Sequence, residues 1–324
     1  MVVSAHPVAP SSGTTDATGK ASYDHTVGNG ANTYPVEARY AGDNGYDGST
    51  SGVTTFTVNR ENAEGSTIAN TGAAQIGAKS FTVTVGIKEA RLSNGNEPDP
   101  NDGQFAGAIA NVSSLTAVAS PVSGGGNVAG SCTAGSVSGS GYGAVKSFSC
   151  TFGDGVTQLP VDVYTLTFTV GGNYYTGSYE DVFSIWDPGA GFATGGGSFM
   201  LEGDRVSFGF SFTMTKGKTA PRGGVVVVRH LAGGGVCRAK SNSMDSPAVV
   251  GNVVTLGGKG NYSCVVNNVT TISQGNINLI VVGEDWATSG AGADKFRVKA
   301  MDKLDMATTV VLAGGNIQVP QPGK

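Results

Sequence analysis

Glycine interrupts this 324-residue chain 52 times, and between the glycines apolar and polar residues alternate with a period of two. The clearest case is Phe208, Phe210, Phe212 and Met214, with Gly209, Ser211 and Thr213 between them. Period-two alternation suits a strand with one buried face. A helix needs apolar residues at 3.6-residue spacing, set among Ala, Leu, Glu, Lys and Gln, and the sequence has no such stretch. Val, Thr, Tyr and Phe fill the runs, while Gly, Asn and Asp suit the turns. The chain reads as all-β, and its length exceeds what one sandwich uses, so two or three modules are expected.

Charge narrows the partners. Asp, Glu, Lys and Arg make up 14% of the chain and the formal net charge is -4. No basic stripe is available to neutralise a row of phosphates, so nucleic acid is not an expected partner. The longest strongly apolar run, Val225 to Val228, is far short of the ~20 residues that span a bilayer, and no membrane insertion is expected. Residues 1–13 have neither the charged n-region nor the apolar h-region of a signal peptide.

Four cysteines permit three pairings. They fall as two close pairs, which makes Cys132–Cys150 and Cys237–Cys264 the economical choice, with four free buried thiols as the alternative. A metal site fits less well. There is no CxxC, and none of the three histidines (His6, His25, His230) stands at ligand spacing from a cysteine. Disulfides imply an oxidising compartment, hence an extracellular or cell-surface location.

An internal repeat marks the modules. Tyr34, Val36, Ala38 and Tyr40 lead through a glycine turn and Tyr46 to Phe56 and Val58. Tyr164, Leu166, Phe168 and Val170 lead likewise through Tyr175 to Phe183 and Ile185. Each reads as the last hairpin of a sandwich, with its opening Tyr in the place of a tyrosine corner. The modules end near Arg60 and Pro188.

The stretch TGKASY…VGNGANTYPVEARYAGDNGYDGSTSGVTTFTVNR, about residues 18 to 60, resembles the C-terminal half of the bacterial immunoglobulin-like repeats of large surface proteins and adhesins. About 15 residues precede the match, too few for the opening strands of a complete module. The chain is therefore expected to begin inside a module, which leaves a raw sheet edge unless Val2, Val3 and Val8 supply a strand to cover it. Residues 188–319 resemble the post-COAP β-module of secreted bacterial proteins. That resemblance is carried by Gly195 to Gly197, Phe208 to Phe210, His230, Gly258 to Tyr262, Asp285, Asp294 to Arg297 and Gly314 to Ile317. It implies a secreted setting and says little about function, since no catalytic role is attached to that module. The expected organisation is a partial Ig-like repeat over 1–62, an Ig-like β-sandwich over 65–187, a C-terminal β-sandwich module over 188–319, with one disulfide in each sandwich, and a tail over 320–324.

Catalytic patterns are missing from the sequence. A serine triad needs a histidine beside Ser and a carboxylate, there is no GxSxG elbow, and GGGSF around Ser198 has the wrong order. His25 is expected in solvent, and His230 as a structural or exposed residue rather than a ligand contact. The acid pairs Glu180/Asp181 and Glu284/Asp285 are adjacent, so on strands they face opposite ways; with Asp302/Asp305 they read as turn solvation. Asp99 to Gly103 lacks the glycine and glutamate positions of an EF-hand. Asp43 with Asp47, and Asp181 with Asp187, are candidates for a stiffening calcium, the one cofactor considered; turn chemistry is the simpler account. The glycine runs at 124–126, 195–197 and 233–235 lack the Lys-Ser/Thr of a phosphate loop. Asn111, Asn261 and Asn268 head glycan-acceptor patterns.

The sequence thus leads to a non-catalytic structural or adhesive region of a bacterial surface or secreted protein. Its partners would be other modules of a longer chain, or cell-surface or matrix glycans or protein. The alternatives are a carbohydrate-binding accessory that stacks sugars on Trp186, Trp286, Tyr174 or Tyr175, and a filament subunit assembling by strand addition.

Overall fold

The computed structural model describes residues 2–5, 11–12, 14–22, 30–90, 109–187, 193–213, 222–232, 234–245, 247–266, 269–287 and 290–319. Among them every regular element is a strand or a short 3-10 turn, so the chain is all-β. It divides into two compact units, one of Met1–Glu61 with Gly172–Tyr175, the other of Asn62–Gly171 with Thr176–Lys324.

In the first unit β3 (Asn32–Tyr40) is the organising strand. It pairs antiparallel with β1 (Val2–Ala5), β4 (Ser49–Thr50) and β5 (Thr54–Val58), and β1 pairs with β2 (Ser11–Ser12). Val2 and Val3 thus sit in a strand hydrogen-bonded to β3, while Val8 lies outside the described residues. Tyr34 faces Phe56 across the β3–β5 ladder, their rings stacked at 5.3 Å, and the Tyr34 hydroxyl donates to the Gly30 carbonyl.

The second unit opens with β6 (Glu61–Ala69), β7 (Ala73–Gln75), β8 (Phe81–Glu89), β9 (Ser114–Pro121), β10 (Val128–Ser138), β11 (Val145–Phe152), β12 (Asp162–Gly171) and β13 (Tyr175–Trp186). Their order is β12-β9-β10-β11-β8-β6-β13, and β13 pairs back onto β12, while β7 adds in parallel to β13. The seven main strands therefore close into a ring. A two-sheet sandwich would leave open edges, which this ring removes, so this stretch is all-β as expected but closes as a barrel. Val83, Val85 and Ile87 of β8 are fully buried, and Phe81 stacks on Phe183 at 3.8 Å and on Phe152 at 4.9 Å. The Tyr164 hydroxyl donates to the Pro160 carbonyl at 2.8 Å, and Tyr164 faces Phe183 across the ladder. Both copies of the sequence repeat therefore make the same contacts: a tyrosine bonded to the carbonyl four residues back and paired with a phenylalanine.

The remaining strands form a half-barrel: β14 (Thr194–Leu201), β15 (Asp204–Thr213), β16 (Arg222–His230), β17 (Val236–Met244), β18 (Ala248–Val250), β19 (Val253–Val266), β20 (Val269–Glu284), β21 (Lys295–Lys299), β22 (Val310–Val311) and β23 (Gly314–Gln318). Its order is β22-β21-β20-β19-β17-β16-β15-β14-β23, with β18 beside β19. The two edge strands are neighbours in sequence. A buried carboxylate ties the connection between β20 and β21 to β23: Asp294 accepts the Trp286 and Ala287 N–H groups at 2.8 and 3.1 Å and the Ile317 N–H at 2.8 Å. Asp285 accepts the Val319 N–H at 2.9 Å.

The expectation of one buried face for Phe208–Phe212 needs correcting. Phe208, Phe210 and Phe212 fill the half-barrel core, but the alternate residues Ser207 and Ser211 are buried too. The second face of β15 and β16 packs on the ring. A Cβ at Gly209 would lie 2.7 Å from a Val163 methyl, so only glycine lets β12 come this close. The run Val225–Val228 divides the same way. Val225 and Val227 join the half-barrel core, while Val226 and Val228 join Val163 and Val182 of the ring. Burial on both faces is what a continuous apolar run in a strand signifies.

A candidate cleft above a buried polar cluster

Where the ring meets the half-barrel, the apolar contact of Val163, Val182, Val226 and Val228 gives way to polar groups. Asp181 of β13 is wholly buried. Its carboxylate accepts hydrogen bonds from Thr67 Oγ1 (2.6 Å) and Asn70 Nδ2 (2.8 Å) on and just beyond β6, Arg205 Nη1 (3.3 Å) on β15, and the Val182 N–H (2.8 Å). His230 Nε2, at the end of β16, lies 3.9 Å away. Thr67 also meets the Tyr179 hydroxyl at 2.6 Å, and that hydroxyl lies 3.2 Å from His230 Nε2, with the two rings stacked at 4.6 Å. Gly65 permits this, since a Cβ there would fall 2.5 Å from that of Tyr179.

A lone carboxylate in such a place would be neutralised. Burial pushes the Asp181 carboxyl up, but contact with His230 and the Arg205 charge outweigh it and hold the group well below the usual carboxylate range. Burial, reinforced by the Asp181 charge, drives the Tyr179 phenol above its ordinary value. The cluster is thus an ionised carboxylate that accepts from Thr67 and Asn70 at the end of β6 and from Arg205 on β15, with His230 of β16 beside it.

Above it opens a cleft of about 550 Å³, within the ~300–1,000 Å³ range of small-molecule sites. Ion pairs stand on its walls. Arg238 Nη1 lies 2.8 Å from both Glu180 oxygens, and Lys88 Nζ lies 2.8 Å from Glu64 Oε1. Met200, Leu231 and Val236 supply apolar surface. A separate buried guanidinium, Arg229, is used up on Asp204 (2.6 Å), Glu202 (3.0 Å) and the Lys303 carbonyl (2.7 Å).

The structure places the residues singled out in the sequence as follows. Both disulfides form as expected, and each joins directly opposed residues of adjacent strands, β10 with β11 and β17 with β19. Asp43 is engaged in its own turn, accepting from the Tyr40 hydroxyl and from the Gly45 and Tyr46 N–H groups, with Asp47 in the same loop. Asp181 and Asp187 lie six residues apart along extended chain, about 20 Å at ~3.3 Å per residue, so they do not share an ion. Among the described residues no group of three or more His, Cys, Asp or Glu is placed to hold a metal. Of the four proposed sugar-stacking rings, Tyr175 is buried, Tyr174 and Trp186 are half-buried, and Trp286 is 54% exposed. The Trp286 indole N–H is held by Glu284 at 2.8 Å. Glu180 and Asp181 take separate cations, as neighbours on a strand should. His6, His25, Asn268 and the 99–103 loop lie outside the described residues.

Sequence reasoning picked out His230 and Asp181 but not Arg205, Arg238, Thr67, Asn70 or Tyr179. These come together only through pairing between strands far apart in sequence, and no local spacing signals them. No family model, curated protein or solved structure matches the chain.

Proposed function

We propose that this chain is a non-catalytic, extracellular structural and adhesive region of a bacterial surface or secreted protein, built from immunoglobulin-like units. The observation that carries this reading is the repeated corner. Tyr34 with Gly30 and Phe56, and Tyr164 with Pro160 and Phe183, reproduce one local design in two units. A repeated module of this kind suits an array, in which each unit acts as a spacer and presents its surface loops. The two disulfides support an oxidising, extracellular setting. The interlocked ring and half-barrel support a rigid body rather than a hinged one. The test is location. Antibodies against this chain are expected to label intact cells of the source or to detect the protein in the medium. Labelling that requires permeabilised cells would overturn the reading.

A further inference from the structure

The cleft between the ring and the half-barrel has the properties of a preformed binding site, and its chemistry narrows what it takes. The charged groups on its walls are already held in ion pairs: Arg238 with Glu180 and Lys88 with Glu64, while Arg205 and His230 both face the buried Asp181 beneath. A charged ligand would therefore find no net opposite charge and would have to displace a partner already in place. A neutral ligand rich in hydroxyls meets no such obstacle.

The paired groups also retain hydrogen-bonding capacity. A guanidinium offers five N–H donors, and the bonds that fix Arg205 and Arg238 each engage Nη1. Both side chains line the cleft and are 20% and 29% exposed. Each carboxylate oxygen has more than one lone pair, which leaves Glu180 and Glu64 able to accept from a hydroxyl. Because the ion pairs already hold these side chains, binding would cost little side-chain ordering. Met200, 56% exposed at the cleft, offers an apolar surface for the C–H face of a ring.

We propose that the cleft bounded by Lys88, Glu180, Arg205 and Arg238 binds a neutral polyhydroxylated ligand, a mono- or disaccharide unit. The site is separate from the Trp and Tyr residues first considered for sugar stacking. It is also independent of the structural reading, since a spacer without this site remains a spacer.

The experiment is ligand-observed NMR by saturation transfer on the full chain. The probes are maltose, cellobiose and N,N'-diacetylchitobiose at millimolar concentration, with inorganic phosphate titrated as competitor. At least one disaccharide is expected to receive saturation, phosphate is expected not to displace it, and Arg238→Met is expected to weaken binding about tenfold, the loss of one charge-assisted hydrogen bond. Lys88→Met, in a separate ion pair of the lining whose side chains are 35% and 20% exposed, gives a second variant; an unchanged thermal midpoint confirms that both fold. No transfer to any of the three sugars would overturn the proposal, as would displacement by phosphate, or binding that both folded variants retain in full.

Discussion

Replacing Asp181 with alanine tests the polar cluster most sharply. The substitution removes the acceptor of Thr67, Asn70 and Arg205 at once. Removing one partner of a buried ion pair costs about 3–5 kcal/mol, because the charge left behind has no compensation. Arg205 is 20% exposed and recovers some hydration, which places Asp181→Ala at the lower end, about 3 kcal/mol. Asp181→Asn keeps the shape and one acceptor oxygen but turns an amide N–H2 toward donors, and should lose about 2 kcal/mol. Urea denaturation followed by circular dichroism measures both, with the slope on denaturant unchanged if the native fold persists. Arg205→Met should lose a comparable amount, and the double variant little more than either single, since the two share one interaction. A loss below about 1 kcal/mol for Asp181→Ala would refute the claim that this carboxylate ties β6, β15 and β16 together.

Four further outcomes follow. The folded-state pKa of Asp181 lies below its unfolded value near 3.9, so its contribution is complete above that value and is lost as pH falls toward the folded one; acid titration should show stability declining from about pH 5 downward, less steeply in Asp181→Asn. Hydrogen bonding from the Thr157 hydroxyl, with the Thr157 and Val156 N–H groups, holds the exposed Asp154 carboxyl at about 2, which an NMR titration of its side-chain carbon should reproduce. Reducing the bridges that close sequence separations of 18 and 27 residues should cost about 3 and 3.5 kcal/mol in the chain-entropy model, read as a lower denaturation midpoint with reductant and assigned with paired Cys→Ser variants. Asp294→Ala leaves the N–H groups of Trp286, Ala287 and Ile317 unpartnered, and should cost about 2–4 kcal/mol with faster amide exchange concentrated in β23.

Local chemistry made the strands and their caps legible. Tyr34 and Tyr164 announced their corners because a tyrosine corner is set within four residues of chain. The cysteine pairs were legible because their members lie close in sequence, and the structure sets them directly opposite on adjacent strands. What the sequence concealed depends on distant partners. Period-two alternation at Phe208–Phe212 shows which side chains face the core, but says nothing of what covers the serine and glycine face. Val163 and Val182 of the ring cover it. The four consecutive valines at 225–228 were a sign of a strand buried on both sides. Arg205 and Arg238 gave no sign, because an arginine on a strand reads as solvated until β13 is brought beside it.

The central structural claim is that the ring and the half-barrel form one body, joined by the valine contact of β12 and β13 with β16 and by the Asp181 cluster. Native-state hydrogen exchange tests it most directly, by comparing the slowest amides of β8 in the ring with those of β15 and β16 in the half-barrel. The account predicts a common opening free energy for both sets, falling together in Asp181→Ala. Ring amides that exchange at a lower free energy while β15 and β16 keep full protection in the variant would contradict it.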